Sequence, residues 1–193
     1  MTNKLIAITG GIGSGKSTVS KIIKDLGYPV FSADEVYKNL MKNKDFVKKI
    51  YNGLGIESNS YNFDKSLISS KVFNDKEMLK KLNEITHPEV MNELIKLSKE
   101  KGGVVFNEVP LLFESNCQDK FDKVIVISRN REDRIKSVIK RSNLTAEEVE
   151  SRMNAQVDYD NMDLSKYIVI KNDGNKQSFI DKLKLALTDL KLI

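Results

Sequence analysis

Ten residues near the start of the chain, Thr9-Gly10-Gly11-Ile12-Gly13-Ser14-Gly15-Lys16-Ser17-Thr18, restrict its possible folds more than any other stretch. They fit the phosphate-loop pattern G-x-x-x-x-G-K-[ST], with Gly10, Gly15, Lys16 and Ser17 in the defining places. Such a loop curls backbone N–H groups around phosphate oxygens, and side chains at Gly11, Gly13 or Gly15 would obstruct it. Lys16 offers a cation to β- and γ-phosphates, and the Ser17 hydroxyl can bind Mg2+. The loop works only between a strand and a helix, and the flanks supply both. Leu5-Ile6-Ala7-Ile8 reads as a buried strand. Val19, Ile22, Ile23 and Leu26 repeat at helical spacing, and Gly27 follows as a stop. These residues imply a nucleotide site in an α/β protein.

The rest of the chain suits that fold. Its 193 residues fit one domain with small appended lobes. Alternating strand-like and helix-like segments point to α/β architecture. A formal charge of +5 is compatible with anionic ligands but specifies none. The single cysteine, Cys117, cannot form an internal disulfide and suits a reducing compartment. No segment approaches the roughly 20 apolar residues of a membrane span, and the short run after Lys4 does not read as a signal peptide. The expectation is a cytoplasmic protein.

Four further strands are expected. Tyr28-Pro29-Val30-Phe31 is the second, leading into Ser32-Ala33-Asp34-Glu35. Ligands of open parallel sheets sit beyond the carboxyl ends of the strands, so Asp34 is expected near the phosphate loop, where it could take a proton from an attacking hydroxyl. Equally, Ser32 or Asp34 could cap a helix over 35–41. Gly103–Val109, Lys123–Ser128 and Tyr167–Ile170 are the remaining strands. Glu108 is a candidate for the Mg2+ shell, and Pro110-Leu111-Leu112-Phe113-Glu114 for either core or pocket wall.

Residues 42–102 read as an insertion with three helices, marked by Phe46/Val47/Ile50/Leu54, Met78/Leu79/Leu82/Ile85 and Val90/Met91/Leu94/Ile95. The stretch Glu57–Asn62 is a polar loop. Thr86 and Glu89 form a capping box with Pro88 in the first helical turn. That assigns the lone histidine, His87, a local or substrate-lobe role before an acid–base one.

All five arginines, Arg129, Arg131, Arg134, Arg141 and Arg152, fall within 24 residues of a chain that otherwise uses lysine. Guanidinium forks grip phosphate oxygens in pairs, which an ammonium cannot do. Arg134 and Arg141 are seven apart and are expected on one helix face, opposite much of the Ile135–Ile139 stripe. Thr145 and Glu148 box a second helix carrying Arg152 and Gln156. The hairpin reads as a lid over nucleotide phosphates; the alternative is a solvated helix paired to Glu132, Asp133, Glu147 and Glu148. Asn172-Asp173-Gly174 is a turn, and Phe179, Ile180, Leu183, Leu187 and Leu190 stripe a closing helix.

With these residues assembled, the chain resembles the dephospho-coenzyme A kinase family over nearly its whole length. The resemblance rests on Leu5–Thr18, Ser32-Ala33-Asp34, His87-Pro88, Val109–Glu114, Arg141-Ser142-Asn143-Leu144-Thr145, Arg152 with Gln156, and Asn172 with Gly174. The His-Pro pair and the Pro-Leu-Leu-Phe-Glu segment are the most specific in combination. It implies a three-layer α/β/α P-loop core with a five-stranded parallel sheet (about 1–34, 103–128 and 160–193), a helical coenzyme-A-binding lobe (about 35–102) and a lid (about 129–159). It also implies ATP-dependent phosphorylation of the ribose 3′-hydroxyl of dephospho-coenzyme A. Asp34 becomes the base, Lys16 and Arg141 the charge stabilisers, and Ser17 the Mg2+ ligand. Gly11, Gly13, Ser14, Gly15, Lys16, Ser17, Thr18, Arg141 and Asn172 would hold ATP; Asp34, His87, Pro110, Leu111 and Glu114 would meet the acceptor.

The family commonly has aspartate at Ser32, Gln and Arg around Arg134 and Ser137, and Ala-Asp at Lys166-Tyr167. These departures leave Lys16, Ser17 and Asp34 untouched. Implied partners are small molecules alone, with no nucleic acid or membrane, in a monomer or weak homo-oligomer. Rival readings are another small-molecule kinase, a nucleotide switch and a nucleic-acid-binding ATPase. The chain lacks the N-K-x-D and D-x-x-G motifs a guanine switch would carry, and the aromatic interleaving of a single-strand platform.

Overall fold

The computed structural model describes residues 3–193 except 59, 74 and 143, so Asn59 of the polar loop and Asn143 of the lid motif lie outside the described residues. The chain divides into two compact units, residues 1–30 with 101–193, and residues 31–100.

The first unit is built on strands β1 (Lys4–Thr9), β3 (Val104–Glu108), β4 (Lys123–Ser128) and β5 (Ile168–Lys171). With the short β2 (Val30–Ser32) at one edge, the sheet order is β2-β3-β1-β4-β5. β1 pairs in parallel with β3 and β4, and β4 with β5. Parallel strands need crossovers, and helices supply them. Side chains alternate along a strand, so Ile6 and Ile8 share one face with Phe106, Ile125 and Ile127. That face packs on Val19 and Ile23 of α1 (Lys16–Asp25) and on Phe179, Leu183 and Leu187 of α8 (Lys176–Asp189). Each such side chain contributes about 1.5–3 kcal/mol by leaving water. Leu26, expected in the α1 stripe, is instead the C-cap residue and is exposed. α6 (Arg131–Arg141) and α7 (Ala146–Asn154) form the hairpin after β4, and the expected Thr145–Glu148 capping box opens α7.

The second unit is helical: α2 (Ala33–Leu40), α3 (Lys44–Leu54), α4 (Lys65–Val72) and α5 (Lys76–Lys101). Its core gathers Met41, Phe46, Val47, Ile50, Tyr51, Leu54, Ile56 and Ile68. The fully buried Tyr51 pins the following loop, donating its hydroxyl to Asn62 O at 2.9 Å and accepting from Asp64 N at 3.0 Å.

Two expectations fail here. The stripes at 78–85 and 90–95 belong to one 26-residue helix, α5, with Pro88 inside it. Thr86 is no N-cap: its Oγ1 donates to Leu82 O at 2.8 Å, one turn back. Proline removes one helical hydrogen bond, and burial of Val90, Met91 and Leu94 just beyond holds the helix together across that gap. α4 was not expected, because only Ile68 of its eight residues is buried and no apolar period shows. Asp64 caps it, accepting from Ser66 N at 2.8 Å.

Candidate active site

The phosphate loop occupies the turn from β1 into α1. Gly10 has φ 142°, and a Cβ there would lie 2.3 Å from the Ile127 carbonyl oxygen, so the first glycine lets the loop leave β1 hard against β4. Gly13 has φ 77°, and its Cβ would meet the Arg134 carbonyl at 2.6 Å. α1 opens on Gly15 without a side-chain cap. Its N-terminus therefore presents backbone donors and the positive end of the helix dipole at the loop. Lys16 Nζ donates to the carbonyls of Gly10 at 2.6 Å and Gly11 at 3.1 Å, bending back over the loop. Ser14 is buried, with its Oγ unpartnered. Thr18 is half-buried, and Ser17 is exposed on the first turn of α1.

A ring of distant residues holds this loop. Gln156 Oε1 accepts the Ile12 N–H at 2.7 Å. Asn172 Nδ2 donates to Ser14 O at 2.7 Å, and Arg129 Nη1 to Gly13 O at 3.3 Å. Tyr159 and Thr9 share a hydroxyl hydrogen bond of 3.1 Å. Burial foremost pushes the Tyr159 phenol up to about 12, with the nearby Glu114 charge acting in the same direction. Arg134, 5% exposed, packs its guanidinium against Gly11 and pairs Nη2 with Asp160 Oδ2 at 2.6 Å. The loop thus sits in a socket made by the lid hairpin and the segment after it.

The structure redistributes the arginines. Arg134 lies on the buried stripe with Val138, whereas Ile139 is 39% exposed, so the expected opposition of the two is reversed. Arg141, in the last turn of α6, is exposed, as is Arg152. Among the described residues, none of the five arginines pairs with Glu132, Asp133, Glu147 or Glu148; the arginine ion pair is Arg134 with Asp160. Among the described residues, Arg129 and Arg134 touch the phosphate loop.

At the end of β3, Glu108 is half-buried and accepts from Ser20 Oγ at 2.6 Å. Pro110 is half-buried and Leu111 is 37% exposed, while Leu112 and Phe113 are buried, so the apolar run is mainly core. Phe113 stands between the rings of Tyr159 at 5.9 Å and Tyr167 at 5.1 Å. Tyr167, where the family departs from this sequence, is thus part of the packing. Glu114 Oε1 accepts from Val157 N at 3.0 Å, and its Oε2 is buried without a partner.

In the second unit, Ser32 stands at the N-cap of α2, but its side chain makes no capping hydrogen bond. Asp34 lies inside the first turn, exposed, and is therefore not the cap. His87 is half-buried on α5.

Tyr159 and Asp160 carry no sequence signal for their contacts: each lies in a turn far along the chain from the loop it supports. Gln156 stands in the family pattern, but its bond to Ile12 spans 144 residues. Among the described residues no cluster of three metal-ligating side chains occurs, and no helix is long and apolar enough to cross a membrane.

The fold recurs in proteins of known structure. A solved shikimate kinase from Bacteroides thetaiotaomicron, 12% identical, aligns over 98% of this chain and 99% of its own with a TM-score of 0.56, which shows the shared P-loop kinase fold. The crystal structure of TT1252 from Thermus thermophilus is 32% identical, with a TM-score of 0.82 over 98% of this chain and 99% of that one. A dephospho-CoA kinase of Fusobacterium nucleatum is 33% identical over 187 residues, covering 95% of this chain and 97% of its own length. The family model described as CoaE, dephospho-CoA kinase, matches residues 4–178. A match from β1 into α8, with relatives aligned nearly end to end, establishes that the chain belongs to the dephospho-CoA kinase family.

Proposed function

We propose that this chain transfers the γ-phosphoryl group of ATP to the ribose 3′-hydroxyl of dephospho-coenzyme A, giving coenzyme A and ADP, the last step of coenzyme A synthesis. The observation that carries the reading is the braced phosphate loop of a family member, an anion cradle held ready by Gln156, Asn172 and Arg134. The acceptor oxygen forms the new P–O bond while the bond from the γ-phosphorus to the bridging oxygen of ADP breaks. Asp34 orients the 3′-hydroxyl and takes its proton. Gly11, Gly13, Ser14, Gly15, Ser17 and Thr18 of the loop, together with Lys16 Nζ, hold the phosphates. Lys16 exchanges its carbonyl partners for phosphate oxygens when ATP binds. Arg141, exposed on the lid, adds charge stabilisation as the lid closes, and closure keeps water from the phosphoryl group. Asn172 supports the nucleotide side through the loop, and His87, Pro110, Leu111 and Glu114 serve the acceptor.

Mg2+ fits the residues present: the uncapped, exposed first turn of α1 offers the Ser17 hydroxyl as a ligand. When bound, it neutralises phosphate charge and orients the triphosphate. With this function goes a cytoplasmic protein acting on small molecules as a monomer or weak homo-oligomer.

Asp34→Asn tests the assignment of the base. Steady-state turnover with dephospho-coenzyme A should fall about 100-fold or more, with ATP binding unchanged by titration calorimetry. Full turnover in the variant would remove Asp34 from the chemistry.

A further inference from the structure

The phosphate loop carries one large apolar side chain, Ile12, and no step above uses it. An anion cradle needs backbone donors at this turn, so the branched side chain is explained by what it packs on. It leaves the loop and joins the buried cluster of Val138, Val149 and Met153 between α6 and α7, beside the partly buried Ile135 and Leu144. Both helices turn one face to it. On α7, Val149, Met153 and Gln156 are spaced i, i+4 and i+7, so the face that buries the first two continues into the turn that brings Gln156 to the Ile12 N–H at 2.7 Å. On α6, Arg134 and Val138 close on the glycines to either side. The Arg134 guanidinium packs on Gly11, and the Arg134 carbonyl and Val138 Cγ2 lie 2.6 and 2.9 Å from where a Gly13 Cβ would stand. Three consecutive loop residues are thus seated in the hairpin, with Ile12 as its plug.

Two helices of 11 and 9 residues with three buried side chains between them hold little stability of their own, so the loop supplies part of the hairpin's core. Arg141 follows Val138 at i+3, about 4.5 Å further along the axis of α6 and on the face that Arg134 and Val138 turn to the loop. We infer that Ile12 is a positioning residue: through its side chain the phosphate loop sets the hairpin, and with it Arg141, over the phosphoryl group in transfer. The inference rests on the proposed function for what Arg141 does, and adds the part that puts it there. Phosphates that order the loop fix Ile12, and Ile12 in its seat stiffens the hairpin. By linkage, a stiffer hairpin tightens the loop on ATP.

The test combines turnover of dephospho-coenzyme A with amide hydrogen exchange in Ile12→Ala, in Ile12→Val, and in Ile12→Ala/Arg141→Ala beside Arg141→Ala. Ile12→Ala keeps the loop N–H groups and Lys16, so it should lower kcat about tenfold while raising the KM for ATP less than about threefold. Ile12→Val, which still fills most of the seat, should restore kcat to within about twofold of wild type. In the Arg141→Ala background the loss of Ile12 should cost less than about twofold, because a residue acting through Arg141 has nothing left to act through. ATP with Mg2+ should slow exchange in α6 and α7 of the wild type; Ile12→Ala should keep the slowing at the start of α1 and lose it in the hairpin. An unchanged kcat in Ile12→Ala would overturn the inference. So would the full loss repeated in the Arg141→Ala background, which would show Ile12 acting on the loop alone. Wild-type protein that binds ATP without turning over dephospho-coenzyme A would overturn the proposed function instead. The exchange arm needs no acceptor and still decides the coupling: hairpin protection lost in Ile12→Ala upholds it, and protection retained overturns it.

Discussion

Replacing Gln156 by leucine isolates what the socket around the phosphate loop does. The side chain keeps much of its volume but loses Oε1, the acceptor of the Ile12 N–H at 2.7 Å. An ordinary hydrogen bond contributes about 0.5–1.5 kcal/mol net, and a donor left unsatisfied away from water costs about 1–3 kcal/mol. Both Ile12 and Gln156 are half-buried, so water can partly replace the lost acceptor, and a loss of about 1–2 kcal/mol follows. Asn172, Arg129 and Lys16 still hold the loop at Ser14, Gly13 and Gly10, so it loosens at Ile12 rather than collapsing. ATP must then reorder that turn on binding. The same 1–2 kcal/mol emerges as an affinity for ATP about 5–30-fold weaker. Titration calorimetry with ATP, on protein checked by circular dichroism, reads this directly. An affinity within twofold of wild type would refute the reasoning, because it would mean the bond neither shapes nor holds the loop.

Other parts of the molecule yield equally direct tests. Gly10→Ala combines left-handed backbone strain with a Cβ placed 2.3 Å from the Ile127 carbonyl, costing about 3–4 kcal/mol and lowering the melting temperature by roughly 10 °C; an unchanged melting curve would contradict the packing of β1 against β4. Tyr159, with its phenol at about 12 rather than 10, stays protonated as a hydrogen-bonding hydroxyl. Its raised folded value contributes stability that is whole below pH 10 and is lost as pH climbs through 12, about 2–3 kcal/mol in all. Urea unfolding should therefore show wild type losing about 2–3 kcal/mol relative to Tyr159→Phe between pH 10 and 12, and parallel pH profiles would contradict it. Pro88→Ala gives α5 back an N–H at an exposed position, and should stabilise the helical unit by about 1–3 kcal/mol in the same unfolding assay; destabilisation would show that the missing bond shapes the helix.

Local signals carried much of the fold. The strand–loop–helix unit at residues 4–25 is readable because glycine spacing, strand hydrophobicity and helical period all lie within one short window. β4 coincides with its expected limits, Lys123–Ser128, because it is buried and bounded by charge. The error at Thr86-His87-Pro88-Glu89 is also instructive. The motif has the composition of a helix start, and only tertiary burial of Val90, Met91 and Leu94 decides that the helix runs on through it. α4 was invisible for the opposite reason, a single buried residue in eight. The candidate site divides in the same way. Lys16, Ser17 and the glycines announce themselves, whereas Gln156, Tyr159 and Asp160 act across more than twenty residues, or across the whole fold, from elements that look like ordinary lid and turn. Burial of Arg134 runs against the usual exposure of arginine. It is explained by the Asp160 carboxylate and by the space that Gly11 leaves for the guanidinium.

The central claim concerns the acceptor, and one measurement addresses it. Purified protein is given ATP and Mg2+ with dephospho-coenzyme A, AMP, adenosine or shikimate in turn, with ADP release followed and the product examined by phosphorus NMR. The account predicts turnover confined to dephospho-coenzyme A, with the new phosphate on the ribose 3′-oxygen. Turnover of another acceptor in its place, or a phosphate at a different position, would contradict it.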